Sequence, residues 1–378
     1  MKKLISLLLC VAILFTVCSC GLFNKEEEAK IFEIALVISS GSVDDKSFNQ
    51  SAWEAVKKVV AEEENIQCQW YKASYEETES YLLTIDNAVE RGAKLIVCPG
   101  YLFEEAVYIA QNKHKNVKFI IIDGAPRASH TAEAVIGKNT VSIYFAEEQA
   151  GYLAGYAMVR EGMRSIAFMG GKAVPAVTRY GYGFLQGAEA AGKELSLKDK
   201  AVKINYHYTD SFYESIAVEE MADKWYKAGT QVIFACGGQM GRSVMNAAEK
   251  NKNKFVIGVD ADQSYMSKIV VASATKNIGK AVRDCIIDYL GKDFQGGKMF
   301  SYDASLSGVG LTMKEESYGK DEHDIPLYFF RNFYSPDYNA VYNKLVSNSI
   351  DIIKDTDTDG NKVEIEDLKL SVVEVRVS

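Results

Sequence analysis

Little in this sequence suggests a metal, redox or nucleophilic centre. Four histidines and seven cysteines occur among 378 residues; His114, His130, His207 and His323 share no ligand spacing, and no CxxC pair occurs. Zinc, haem and dithiol motifs are therefore absent. So are GxGxxG after the first apolar run, GxxxxGK[ST] and GxSxG, which removes the common phosphate-cradling loops and the nucleophile elbow. No cofactor is expected. Excess positive charge is missing too: 43 Lys and Arg face 51 Asp and Glu, giving a formal charge of -8 and a pI near 5.3. That balance offers no broad attraction to phosphate backbones, so nucleic acid is not an expected partner. Only five prolines occur, and no low-complexity stretch separates the halves of the chain. Cys98 and Cys236 end apolar runs and read as buried thiols; with Cys68 and Cys285 they do not suggest a disulfide framework.

What is present begins at the N-terminus. Lys2 and Lys3 precede an apolar run from Leu4 to Val17, too short to cross a bilayer comfortably and typical of an export signal. The run closes on Val17-Cys18-Ser19-Cys20-Gly21, which resembles a bacterial lipobox. Residues 1–19 are then a signal peptide, and Cys20 is the acylated mature N-terminus. Acyl chains contribute about 0.8 kcal/mol per buried methylene, enough with several chains to hold the protein at a membrane without a spanning helix. An ordinary signal peptide cut near Ser19 is the alternative. Residues 20–30, with Glu26, Glu27 and Glu28, form the tether.

From Ile31 the chain alternates β-branched runs with segments of helical period, the pattern of βαβ units and parallel sheets. Its length exceeds what one core usually serves, so two α/β lobes are expected. IFEIALVIS, KLIVCPG and KFIIIDG belong to the first lobe. RSIAFMGG, AVKINYHYT, QVIFACGG and KFVIGVDAD belong to the second. The strand VVASATKN and the helix Ile278–Leu290 return the chain to the first lobe. The expected N-terminal lobe comprises 31–143 and 275–305; the C-terminal lobe comprises 144–274 and 306–378, with LKLSVVEVRVS as a closing strand. Several runs end in small or polar residues such as Ser39-Ser40-Gly41, Asp123-Gly124, Gly237-Gly238 and Asp260-Ala261-Asp262. Ligands of open α/β sheets bind at such carboxyl ends, here in a cleft between the lobes.

One segment carries a more specific signal. Asp44-Asp45-Lys46-Ser47-Phe48-Asn49-Gln50 leads from a strand into a helix that Ser47 could cap, placing Phe48 and Asn49 at the helix entrance. The stretch ISSGSVDDKSFNQSAWEA resembles the signature of the basic membrane protein family of nucleoside-binding lipoproteins, the solute receptors of ABC transporters. IIIDG, EEQAGYLAGYAM, RYGYGFLQG, YTDSFYES, GVDADQS and ASATKN match that family in order. The resemblance implies a type I periplasmic-binding-protein fold, two Rossmann-like lobes joined by a multi-strand hinge. It implies a monomeric receptor that takes a nucleoside, with purine nucleosides preferred, and passes it to an ABC permease. The base would lie between Phe48 and Phe212, with Asn49 and Asp123 at its edge and Asp45 in the loop before Phe48. Asp260 or Asp262 would bind the ribose together with Lys276, and Gly238 would let backbone approach the ligand. Stacking tolerates any base and contributes about 1–3 kcal/mol per base, so discrimination must come from edge hydrogen bonds. One departure stands out: Ser39 replaces the Asp or Asn common in the family at the end of the first strand, and a hydroxyl reaches less far.

The same residues have plainer readings. Phe48 can be core, Asp123 a turn former before Gly124, Lys276 a surface lysine and Gly238 a turn glycine. A sugar receptor of similar fold remains an alternative, because ribose-type binders also stack aromatics on their ligands. An enzyme is the rival from another class. A nucleoside hydrolase would need carboxylates around a metal or water, and Asp44-Asp45 is the only pair that suggests one; His207 is the only histidine near the expected pocket.

Overall fold

The computed structural model describes residues 32–378 apart from positions 64, 130, 321, 325 and 358. The expected signal peptide and tether, with Cys20, lie outside the described residues. The described chain opens with β1 (Phe32–Ile38), α1 (Phe48–Ala61), β2 (Gln67–Lys72), α2 (Thr78–Glu90), β3 (Leu95–Pro99), α3 (Glu104–Lys113), β4 (Lys118–Ile122) and β5 (Thr140–Phe145). A second alternating series follows: α4 (Glu147–Arg160), β6 (Ser165–Gly170), α5 (Pro175–Glu194), β7 (Val202–Tyr208), α6 (Ile216–Lys227), β8 (Val232–Cys236), α7 (Met240–Glu249), β9 (Phe255–Asp260) and β10 (Val270–Lys276). The chain ends through α8 (Ile278–Leu290), β11 (Lys298–Tyr302), β12 (Val309–Met313), the short pair β13 (Gly319–Lys320) and β14 (Pro326–Leu327), α9 (Ser335–Val346) and β15 (Val373–Val377).

Two sheets result. The first has the order β11-β5-β4-β3-β1-β2 and is parallel throughout. The second has the order β12-β10-β9-β8-β6-β7-β15, with only β12 antiparallel to its neighbour. β3 and β8 are buried along their whole length. Helices cover both faces of these sheets, which is why the strands read as unbroken apolar runs rather than alternating ones. The architecture is the two-lobed α/β arrangement of periplasmic binding proteins.

The chain passes between the lobes three times: after β5 into α4, after β10 into α8, and after β11 into β12. VVASATKN therefore stays in the second sheet as β10, and α8 makes the return, packing on α1 and donating from Tyr289 Oη to Glu33 in the first lobe at 2.6 Å. The crossings are laced together. Ala146 N donates to Tyr302 O at 3.1 Å, Ala304 N to Gln149 Oε1 at 2.8 Å, and Asn277 N to Gly308 O at 2.8 Å.

Behind the crossings, α4 and α5 touch backbone to backbone. A Cβ on Gly151 would lie 2.1 Å from Tyr180 O, on Gly155 2.0 Å from Phe184 O, on Gly183 2.0 Å from Glu148 O and on Gly187 2.0 Å from Tyr152 O. Glycine is required there because any side chain would separate the helices. Further down α5, Gln186 exchanges two hydrogen bonds with Ile353, at 2.8 and 2.9 Å. Glu189 accepts from the backbone N–H groups of Ser371, Val372 and Val373 at 2.9–3.0 Å, which leads the chain into β15 beside β7. The acidic loop that follows Asp355 closes on itself, with Asp357 Oδ1 accepting from Asp359 N and Asn361 N at 2.9 and 2.8 Å. Among the described residues no group of three acidic, histidine or cysteine side chains is placed to hold a metal ion, and no helix is long and apolar enough to cross a membrane.

Candidate functional site

The carboxyl ends of both sheets face a cleft of about 890 Å³, its open mouth included. Ser39, Asp45, Phe48, Asn49, Asp123, Phe212, Gly238, Asp260 and Lys276 all line it. Asp262 does not; its Oδ1 accepts from Ser264 N at 2.9 Å, in a turn outside the cleft. His207 is also elsewhere, bonded through Nδ1 to Ser378 O.

The first lobe supplies the β1–α1 turn. Asp45, and not Ser47, closes the start of α1: Asp45 Oδ1 accepts from Ser47 N and Gln50 N at 2.9 and 3.0 Å, and Oδ2 from Asn49 N at 2.9 Å. A carboxylate at a helix start satisfies otherwise orphaned N–H groups and favours the positive end of the helix. Burial nevertheless lifts this carboxyl to about 6, against the pull of the Gln50, Asn49 and Ser47 bonds. Ser47, expected as the cap, is released to donate from Oγ to Asp260 Oδ2 across the cleft at 2.6 Å. Asn49 Nδ2 donates to Ser40 O at 3.0 Å, fixing the turn after β1.

The second lobe supplies Phe212 from the β7–α6 loop. Its ring lies on the backbone of Gly171, where a Cβ would come within 2.5 Å of Cδ1, and Phe212 O accepts from Met240 N at 3.1 Å. Tyr180 reaches the floor of the cleft from α5, set edge-on against Phe234 at 5.8 Å, with Oη 3.4 Å from Asp260 Oδ1.

Lys276, at the end of β10, is the charge centre. It is 5% exposed, which rules out the surface-lysine reading. Its Nζ donates to Asp123 Oδ2, sits 2.8 Å from Glu147 Oε1, and lies 5.0 Å over the Phe48 ring. Burial alone would lower this amine, but Asp123, Glu147 and Asp260 together push it well above its ordinary value, so it stays an ammonium. Asp123 and Asp260 are themselves raised by burial, against the pull of Lys276. Asp123 adopts φ +57° and Asp260 φ +64°, left-handed turns that swing each carboxylate over its strand end. Asp123 Oδ1 is buried without a partner, which leaves an acceptor at the cleft wall.

Glu147 was not among the residues expected here, nor were Arg179, Tyr180 and Ser47. Glu147 is fully buried at the head of α4, with Oε2 2.6 Å from Arg179 Nε. Burial would raise it, but Arg179 and Lys276 hold it below the ordinary carboxylate range. The available signal was Glu147-Glu148 opening a helix that is otherwise small and apolar: a carboxylate on a buried helix needs a cation. The arrangement binds rather than reacts. Cys236, the thiol in the cleft wall, is pushed well up by burial and held as the unreactive thiol.

Comparison with known proteins agrees with this geometry. Residues 32–328 match the family described as ABC transporter substrate-binding protein PnrA-like. Basic membrane protein A1 of Borrelia garinii subsp. bavariensis is 32% identical over 315 residues, covering 82% of this chain and 88% of that protein. The ABC transporter nucleoside-binding protein BmpA of Lactococcus lactis subsp. cremoris is 28% identical, covering 73% of this chain and 80% of that protein. Among solved structures, an ABC transporter solute-binding protein from Aeropyrum pernix K1 superposes with a TM-score of 0.71 at 20% identity, over 87% of this chain and 95% of that one; this likeness concerns the fold. With its two lobes, its interlobe cleft and a match over most of its described length, the chain belongs to the PnrA-like family of ABC transporter substrate-binding proteins, which are receptors and not enzymes.

Proposed function

We propose that this protein captures a nucleoside, with purine nucleosides preferred, and presents it to the permease of an ABC transporter, working as a monomer held at the extracytoplasmic face of the membrane by acylated Cys20. The observation that carries this reading is the composition of the cleft. Phe48 and Phe212 approach it from opposite lobes, while Asp123, Asp260 and Lys276 gather at the strand ends. A flat heterocycle suits two aromatic walls. A ribose offers hydroxyl donors to carboxylates and an acceptor to an ammonium, and charged partners strengthen such bonds. The unpartnered Oδ1 of Asp123 gives a place for one ligand N–H or O–H. The nucleoside-binding name of the Lactococcus relative supports the same ligand class.

The test is calorimetric titration of the chain from Gly21 onward, unfolded and refolded to strip carried-over ligand, with adenosine, guanosine, inosine, cytidine, uridine, free bases and ribose. One-to-one binding of purine nucleosides, with pyrimidine nucleosides weaker and ribose inert, is the expected result. Silence toward every nucleoside would overturn the ligand class, and equal affinity for purines and pyrimidines would overturn the preference.

A further inference from the structure

The family match ends at residue 328, yet the chain beyond it does not hang free. It runs along one face of α5, engaging Arg179, Tyr182, Gln186 and Glu189, positions three or four apart that share a helix face. Tyr182 Oη donates to Val363 O at 2.8 Å, and Lys354 lies 3.3 Å from Glu148 on α4. The innermost of these contacts is Asp355, whose Oδ1 is 3.5 Å from Arg179 Nη1.

Arg179 faces two ways. Its Nε binds Glu147 Oε2 at 2.6 Å, and the other oxygen of Glu147 is 2.8 Å from Lys276 Nζ at the cleft wall. Asp355, Arg179, Glu147 and Lys276 thus form one chain of alternating charge from the C-terminal segment to the cleft. Its inner members are almost completely removed from water, with Lys276 and Glu147 side chains 2% and 0% exposed and Arg179 10%. Buried charges of this kind hold a fixed geometry only while each has its partner. Glu147 meets Lys276 through one oxygen and Arg179 through the other, so where it stands against Lys276 depends on what holds it from the far side. Glu147 stands directly after the first interlobe crossing and Lys276 directly before the second, so the same chain ties two hinge segments together.

We propose that Asp355 is a positioning residue of the binding site: through Arg179 and Glu147, the C-terminal segment sets where the Lys276 ammonium stands against the ligand. The proposal rests on the nucleoside reading of the cleft for its binding readout. Asp355 is partly exposed, so removing its charge should leave the fold intact while loosening Arg179, an effect in the range of a partly exposed ion pair.

The experiment is a double-mutant cycle on the chain from Gly21 onward, with inosine as titrant and circular dichroism to verify folding. Asp355→Asn should weaken inosine binding roughly three- to fivefold. In a Lys276→Met background the same substitution should have no further effect; if that background does not fold, Glu147→Gln replaces it, since it cuts the chain without changing side-chain shape. No loss on Asp355→Asn, or the same loss in both backgrounds, would overturn the proposal. A parent chain that binds no nucleoside would sink the ligand reading instead. The cycle is then read from melting temperatures of the ligand-free proteins: non-additive shifts support the coupling, and additive shifts overturn it.

Discussion

At the residue scale, Asp45 shows how a side chain can line a binding cleft and still be occupied with its own helix. Both of its oxygens are taken by backbone N–H groups of α1. Its carboxyl is raised from 3.8 to about 6. A folded-state value above the unfolded one means that the folded chain takes up this proton more readily. The stabilising contribution is then fully present below about 3.8 and is lost as pH rises through about 6. Asp45→Asn removes that titration. Urea unfolding of both proteins should therefore show the stability of the wild type, relative to Asp45→Asn, increasing as pH is lowered from 7 to about 4.5; a difference independent of pH would show that the carboxyl is not raised. Asp45, Phe48 and Asn49 are legible at this helix entrance because turn, cap and aromatic fall within six residues. Ser47 is the cap expected from sequence, since a hydroxyl next to the first helical residue is the usual choice. The long reach of Ser47 to Asp260 across the lobes has no local signal.

At the element scale, the alternation of apolar runs and helical periods was legible, because buried parallel strands and amphipathic helices differ in period. The destination of β10 was not, since a strand's sheet is decided by partners far away in the chain; VVASATKN pairs with β9 and β12. The coupling of α4 and α5 was visible only as glycine spacing in EEQAGYLAGYAM and RYGYGFLQG, without a sign of which helix would meet which. Their contact makes a sharp prediction. Gly155→Ala puts a methyl 2.0 Å from Phe184 O, a backbone atom that cannot rotate away. The helices must separate, at a cost of about 1–3 kcal/mol, the range for overpacking, and Glu147 should be drawn away from Arg179. Gly279→Ala, in α8 with nothing within 4 Å of the new methyl, should instead leave stability unchanged or raise it by up to about 1 kcal/mol. Thermal unfolding of the two variants separates the cases, and equal melting temperatures would mean that the α4–α5 contact yields freely.

At the scale of the whole molecule, the charged group at the hinge shows why much of the site escaped sequence reading. Asp123, Glu147, Arg179, Lys276 and Asp355 come from separate elements, and only folding brings them together. A second set of distant contacts bridges the two lobes at the rim of the cleft. Tyr213, beside Phe212, accepts at Oη from Gly41 N at 3.0 Å, and Lys72 Nζ lies 5.7 Å over the Tyr213 ring while donating to Gly41 O at 2.8 Å. Lys172 pairs with Glu76 nearby, but both side chains are about one-third exposed, so that pair contributes little in water. Tyr213 is itself 40% exposed, but it joins a backbone donor of the other lobe to a ring beneath a cation, two contacts against one, and should contribute more than that pair to holding the rim. Tyr213→Ala should therefore open the ligand-free molecule, seen as a larger radius of gyration by small-angle X-ray scattering, whereas Lys172→Ala should change it little. A ligand that favours the closed form restores compactness and binds more weakly in proportion to the closed population lost. Saturating inosine should return Tyr213→Ala to the wild-type radius with a raised Kd, and an unchanged radius without ligand would show that Tyr213 does not hold the lobes together.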